Sequence, residues 1–271
     1  MPRPNEHPYL TGNYAPVPDE TSITDLAVDG EIPLALHGRY LQIGPNPIGN
    51  PARPYVWSEA DAMVHAITIR PGHTPSYRNR WVITAHASTL LGTEPVPGEV
   101  AGATDMANAI LLVAGDRILA LSEHAAYELG PDLETRRRVL VSRDLWQVAG
   151  GPDRPASRYV YALGRTGDLP FAGTEIFEHR LATGATEQRN PGALRHPGGF
   201  VFVGDPARRN HDDGGWHVGL VHVENTALAE LVVLDANEPH SPALATVHIT
   251  RRVPYGPYCT WAPAPSTPRE R

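Results

Sequence analysis

Phe200-Val-Phe-Val203, Trp216-His-Val-Gly-Leu-Val-His-Val223, Glu230-Leu-Val-Val-Leu234 and Ala245-Thr-Val-His-Ile249 decide the fold. Each is a short run rich in β-branched and aromatic residues, and the breaks between them hold turn formers such as Asp212-Asp213-Gly214-Gly215 and Asp235-Ala236-Asn237. Such runs bounded by turn signals read as strands. Four short antiparallel strands in about 50 residues is the size of one β-propeller blade. A β-sandwich spaces its strands similarly, so the spacing alone favours the propeller only modestly.

The same pattern continues upstream. Met63, His65, Ile67 and Ile69 fall on one face of a strand, and Val64, Ala66 and Thr68 on the other. Ala109 to Val113 and Ile118 to Leu121 flank Ala114-Gly115-Asp116, which reads as a hairpin. Arg158 to Leu163, Glu175 to Leu181 and Thr186 to Arg189 continue it, the last two joined through Thr183-Gly184. The first 55 residues are rich in Pro and Asn and poor in strand pattern, and they read as an irregular N-terminal arm. Residues 143–157, with Gly150-Gly151-Pro152 inside, are a second break, and no long helix is expected. The expectation is an all-β, partial β-propeller of antiparallel four-stranded blades, with residues 1–271 as a single propeller-type domain.

Composition narrows the function. The 28 Pro and 25 Gly are about a fifth of the 271 residues, against about 12% on average, so turns are frequent. All 23 basic residues are Arg, and 30 acids bring the net charge to −7, which argues against a nucleic-acid partner. Arg136-Arg137-Arg138 reads as an exposed, solvated turn. No apolar run approaches the ~18 residues of a membrane span. The opening residues lack the basic-then-apolar order of a signal peptide, so a cytoplasmic address is expected. Cys259 is the only cysteine, which excludes an internal disulfide and a Cys-rich zinc site. It reads as a buried inert thiol, with no acid–base partner near it in sequence.

Specific words then carry a resemblance. Leu10-Thr-Gly-Asn-Tyr-Ala-Pro-Val17, Val28-Asp-Gly-Glu-Ile-Pro33 and Gly38-Arg-Tyr-Leu-Gln-Ile-Gly-Pro-Asn-Pro47 resemble, in order and spacing, the opening of the carotenoid cleavage oxygenases. That family includes lignostilbene dioxygenases and retinoid isomerases. Trp57-Ser-Glu-Ala-Asp-Ala-Met-Val-His65, Tyr77-Arg-Asn-Arg-Trp-Val82, Tyr127-Glu-Leu129 with Leu133-Glu-Thr135, Arg251-Arg-Val-Pro-Tyr-Gly256 and Thr260-Trp261 extend it over residues 8–140 and 157–262. The resemblance implies a seven-bladed propeller with a non-haem Fe(II) on its axis, held by four histidines and oriented by carboxylates. It also implies O₂-dependent cleavage of a carbon–carbon double bond in an apolar polyene or stilbene.

This chain departs from the family at those residues. Three family histidines stand in words such as Ala-His-Pro-Lys, His-Asp-Phe and His-x-x-Asn, which do not occur here. The fourth stands in Gly-Phe-His-Gly-x-Trp, where this chain has Gly256-Pro-Tyr-Cys-Thr-Trp261, with Tyr258 at the iron-ligand position. The carboxylate of Pro-Gly-Glu-Pro-Val-Phe-Val is replaced in Pro197-Gly-Gly-Phe-Val-Phe-Val203 by Gly199. From Leu133-Glu-Thr135 the sequence passes to Tyr159-Val-Tyr-Ala-Leu163, which resembles a strand from well into the second half of the family. An internal deletion junction within 136–157 is therefore expected. A phenolate suits ferric better than ferrous iron, and one such ligand does not replace four imidazoles.

The 13 histidines offer one replacement site. His222-Val-Glu224 has the His-x-carboxylate spacing, with His240 or His248 as a third ligand. Against it, Glu224 lies at a turn. His65 matches a family histidine that is not a ligand, and a hydrogen-bonded structural role is expected. His217 and His222 have opposite strand parity and face apart. His37, His73, His124, His179, His196 and His211 sit in polar or turn-like contexts and are expected at the surface. Two readings stay open: an iron dioxygenase with relocated ligands, or a shortened, catalytically impaired relative that binds an apolar ligand or serves as a scaffold. On the second, Fe(II) is not stably bound, and the open sheet edges of an incomplete ring favour self-association.

Overall fold

The computed structural model describes residues 7–51, 54–98, 106–122, 125–139, 159–165, 173–180, 183–208, 214–238, 241–256 and 258–264, with backbone alone at 159–165, 174, 178 and 180. In chain order the first strands are β1 (Thr21–Ile23), β2 (Val28–Gly30), β3 (Gly38–Pro45), β4 (Ala62–Ile69) and β5 (Ser76–Trp81). There follow β6 (Ile110–Ala114), β7 (Arg117–Leu121), β8 (Ala126–Leu129), β9 (Thr135–Val139), β10 (Tyr159–Arg165), β11 (Gly173–Arg180) and β12 (Thr186–Arg189). The last are β13 (Arg195–Gly204), β14 (Gly215–Val223), β15 (Leu228–Asp235), β16 (Ala245–Ile249) and β17 (Tyr258–Pro263).

These strands form four sheets, and every pairing is antiparallel. The central sheet has the order β1-β5-β4-β3-β17 and the C-terminal sheet the order β13-β14-β15-β16-β2. The other two are β6-β7-β8-β9 and β10-β11-β12. The expected hairpins close at Gly115 and Gly184, whose φ values of 64° and 69° lie in the left-handed region that a side chain disfavours. The fold is thus all-β and of propeller type.

The irregular arm holds only in part. Residues 7–20 are 3-10 turns and loop, but Gly38–Pro45 is an eight-residue strand buried along nearly its whole length. Apolar residues on both of its faces hid it: Tyr40 and Gln42 point one way, Leu41 and Ile43 the other, so there is no polar alternation to read. Val28–Gly30 is a further correction, adding a fifth strand to the C-terminal sheet beside β16. Arg136-Arg137-Arg138 lies on β9 rather than in a turn. Arg137 pairs with Glu128 at 2.8 Å, while Arg138 is buried with its guanidinium over the Tyr127 ring. The expected junction lies outside the described residues from 140 onward.

The layers follow from the faces. Tyr40, Ile67, Ile69 and Tyr77 of the central sheet pack on Trp216, Val218, Leu220 and Leu231 of the C-terminal sheet. The opposite central face, with Leu41, Ile43, Val64 and Ala66, packs on Ile118, Ala120, Tyr127 and Leu129. Ile176 of β11 packs on Val221, Val232 and Leu234. The sheets therefore stack in the order β6–β9, central, C-terminal, β10–β12. Among the described residues no apolar cluster joins the first and last of these. The one α-helix among the described residues (Ala85–Leu91) is capped by Thr84, whose hydroxyl accepts from Ala87 N at 3.0 Å, and is ended by Gly92 at φ 66°.

Candidate functional site

The words that carry the family resemblance meet in one place. Tyr255 N donates to Asn13 O, Arg252 donates to Ala15 O at 2.6 Å and Pro16 O at 3.0 Å, and Asn46 both accepts from Val17 N and donates to Val17 O. Gln42 Nε2 donates to Pro254 O at 2.8 Å. Gly44 and Gly256 bring two backbones together: a Cβ on Gly256 would stand 2.5 Å from Ile43 O, and one on Gly44 2.8 Å from Gly256 Cα. These residues clamp the N-terminal segment and the approach to β17 onto β3. Their chemistry is that of a scaffold.

Beside the clamp lie the two positions at which a metal site is expected. Gly199 on β13 faces β17: its carbonyl accepts from Tyr40 Oη at 2.8 Å, and a Cβ there would sit 2.5 Å from Cys259 Sγ. Burial, with Cys259 beside it, pushes the Tyr40 phenol well above its usual range. Cys259 and Trp261 turn toward this side, so the alternation of β17 sends Tyr258 to the opposite face. Tyr258 sits there opposite Ile43 and is 46% exposed. The structure brings the strands of Tyr258 and Gly199 together but turns the phenol away from the glycine. The thiol occupies the space next to Gly199, and that role was invisible in a lone cysteine.

The histidines disperse. His65 is 2% exposed, hydrogen-bonded through Nδ1 to the Tyr77 hydroxyl at 2.8 Å, and held neutral by burial that pushes its pKa down to about 3. His222 stacks near His196, ring centroids 6.3 Å apart, and burial lowers its pKa with His196 contributing. Glu224 pairs with His196 at 3.0 Å. His248 lies on the other face of the sheet, between Asp29 at 2.8 Å and Glu230 at 3.4 Å, because its register partner Glu230 lies opposite Val221 rather than His222. The triad of His222, Glu224 and His248 is thus not assembled, and His240, like His124 and His211, lies outside the described residues. His217 stays on the face opposite His222, since β14 and β15 pair without a bulge. His37 and His73 are exposed as expected, whereas His179 and His196 are half-buried.

A ferrous ion kept open to O₂ needs several neutral nitrogen donors converging at about 2.0–2.1 Å, oriented by hydrogen-bonded carboxylates. Among the described residues no three His, Cys, Asp or Glu side chains converge. At the position where the resemblance implies a ligand stands the half-exposed phenol of Tyr258, and where it implies a carboxylate stands Gly199, with the Cys259 thiol beside it. The described residues at these two positions do not make up such a donor set.

Comparison with known proteins fixes the lineage. The family model of the retinal pigment epithelial membrane protein matches residues 14–150 and 153–263. A carotenoid cleavage oxygenase of Mycobacterium tuberculosis is 42% identical over 139 residues, which are 48% of this chain and 27% of that enzyme. The chain thus spans little over a quarter of that relative's length in sequence. A Synechocystis apocarotenoid oxygenase variant superposes with a TM-score of 0.71 at 14% identity, over 94% of this chain and 98% of the other. A Pseudomonas brassicacearum lignostilbene dioxygenase superposes with a TM-score of 0.70 at 15% identity, over 97% and 100%. No helix is long and apolar enough to cross a membrane among the described residues. The clamp built from the quoted words, the stacked antiparallel sheets and the matches over both halves have one reading: the chain belongs to the carotenoid oxygenase family.

Proposed function

We propose that this chain is a catalytically impaired carotenoid oxygenase homologue that retains apolar-ligand binding on the family scaffold without stoichiometric iron. One observation carries the reading: Tyr258 stands at the ligand position and faces away from Gly199, while Cys259 fills the space a carboxylate at 199 would need. The dispersal of the described histidines into separate pairs supports it. The break of the family match between residues 150 and 153 supports an internal deletion within 136–157. The names of the relatives point to a polyene or stilbene-type ligand, and β9 and β10, edges of their sheets among the described residues, support self-association through sheet edges.

The test is expression with added Fe(II), elemental analysis, and O₂ consumption with a carotenoid, an apocarotenoid and a stilbene. Iron well under one per chain, and no aldehyde product, is the expected result. A ratio near one, lost on substituting particular histidines, overturns the reading in favour of an active dioxygenase with relocated ligands.

A further inference from the structure

We propose that the cavity between the β10–β12 sheet and the C-terminal sheet binds an apolar carboxylic acid, whose carboxylate is received by Arg189. This site is separate from the position discussed above and does not depend on the state of the iron. The cavity measures about 420 Å³, within the ~300–1,000 Å³ typical of small-molecule pockets. Ile176, Phe200, Val221, Val232 and Leu234 form its apolar wall, and Gln188, Arg189, Asn190, Arg195, Ser241 and Thr246 form its polar side.

Arg189 lies opposite Ile176 in the β11–β12 ladder, and paired residues share a face, so its side chain enters the same inter-sheet space. Arg189 is half-buried, and a cation partly withdrawn from water beside an apolar wall is favoured by a counter-charge. Two carboxylates of the facing C-terminal sheet are engaged elsewhere. Glu230 pairs with Arg195 and His248, and Asp235 pairs with Arg208 at 3.4 Å. Among the described residues no carboxylate pairs with Arg189, and burial alone lowers its pKa. Arg195, the other cation in the cavity, already has its partner.

A guanidinium with no carboxylate partner among the described residues, set beside an apolar wall, matches one ligand chemistry. The carboxylate takes two parallel N–H donors, and the hydrocarbon body fills the space between the sheets. A neutral polyene satisfies the walls but leaves the cation uncompensated. A small polar anion satisfies the cation but leaves the walls wet. The cavity therefore selects an amphiphile with both parts.

The experiment titrates the full-length protein with dodecanoate below its micelle concentration, and in parallel with dodecanol, by calorimetry. Saturable one-to-one binding of dodecanoate, at least tenfold tighter than dodecanol, is expected. Arg189→Met, which keeps the apolar stem and removes the charge, should lose that preference while melting as the parent does. Equal affinity for acid and alcohol, an undiminished preference in Arg189→Met, or no saturable binding of dodecanoate overturns the proposal. Where Arg189→Met fails to fold, the acid-to-alcohol ratio on the unmodified protein decides.

Discussion

Gly199 and Cys259 share one narrow space between β13 and β17. Where the resemblance implies a carboxylate, the backbone of β13 runs so close to β17 that a Cβ would meet Cys259 Sγ at 2.5 Å. Gly199→Ala is therefore expected to destabilise by about 1–3 kcal/mol, the usual cost of overpacking. Cys259→Ala removes the clashing sulfur and should recover most of that loss, so urea melts of the two singles and the double should show a coupling above about 0.5 kcal/mol. Additive losses would mean that the thiol does not occupy the space. The same contact sets the expected failure of Tyr258→His with Gly199→Glu: the new carboxylate has no room, and the imidazole starts on the opposite face of β17. Sequence showed both substitutions but not this consequence, because a lone cysteine carries no record of what it packs against.

At the scale of the element, most strands were legible because their runs of β-branched and aromatic residues are bounded by clear turn formers. β13–β16 and the hairpins at Gly115 and Gly184 stand where the pattern put them. β3 was not legible: it is covered on both faces, so its residues lack alternation, and its neighbours are proline- and asparagine-rich loops. Arg189 was read as the end of a strand, but its entry into a cavity depends on the β11–β12 register, which no local pattern encodes. Edge strands carry a further consequence. β9 presents Arg136 and Arg137, exposed cations of the kind that block strand addition. β10 is also an edge of its sheet among the described residues, and its sequence Tyr-Val-Tyr-Ala-Leu-Gly-Arg has a single charge and no proline. Concentration-dependent association through β10 is expected by sedimentation velocity, and Ala162→Lys should shift the protein toward monomer. A parent that stays monomeric over a hundredfold concentration range would refute this.

Over the whole molecule, stability rests on apolar layers between stacked sheets, and two of those layers contain a buried neutral histidine. His65 belongs to the face of the central sheet turned to the C-terminal sheet, and His217 to the face turned to β10–β12. Burial, the largest cause for each, pushes the first down to about 3 and the second to about 4, from an ordinary value of 6.5. Both are more than nine-tenths buried, so solvent screens these shifts little. The unfolded chain takes up protons at these two rings as pH falls below about 6.5, while the folded chain does not, so it binds more protons and stability drops with acidification. Each ring contributes up to about 1.4 kcal/mol per pH unit between the unfolded and folded values, and the contribution is fully present above pH 6.5. Urea midpoints should therefore fall steeply from pH 7 to pH 5.5, above the range in which ordinary carboxylates titrate. His65→Gln, which keeps a polar partner for the Tyr77 hydroxyl but cannot titrate, should flatten that dependence by about half. An unchanged slope in this variant would show that the layer between the central and C-terminal sheets admits the proton without opening.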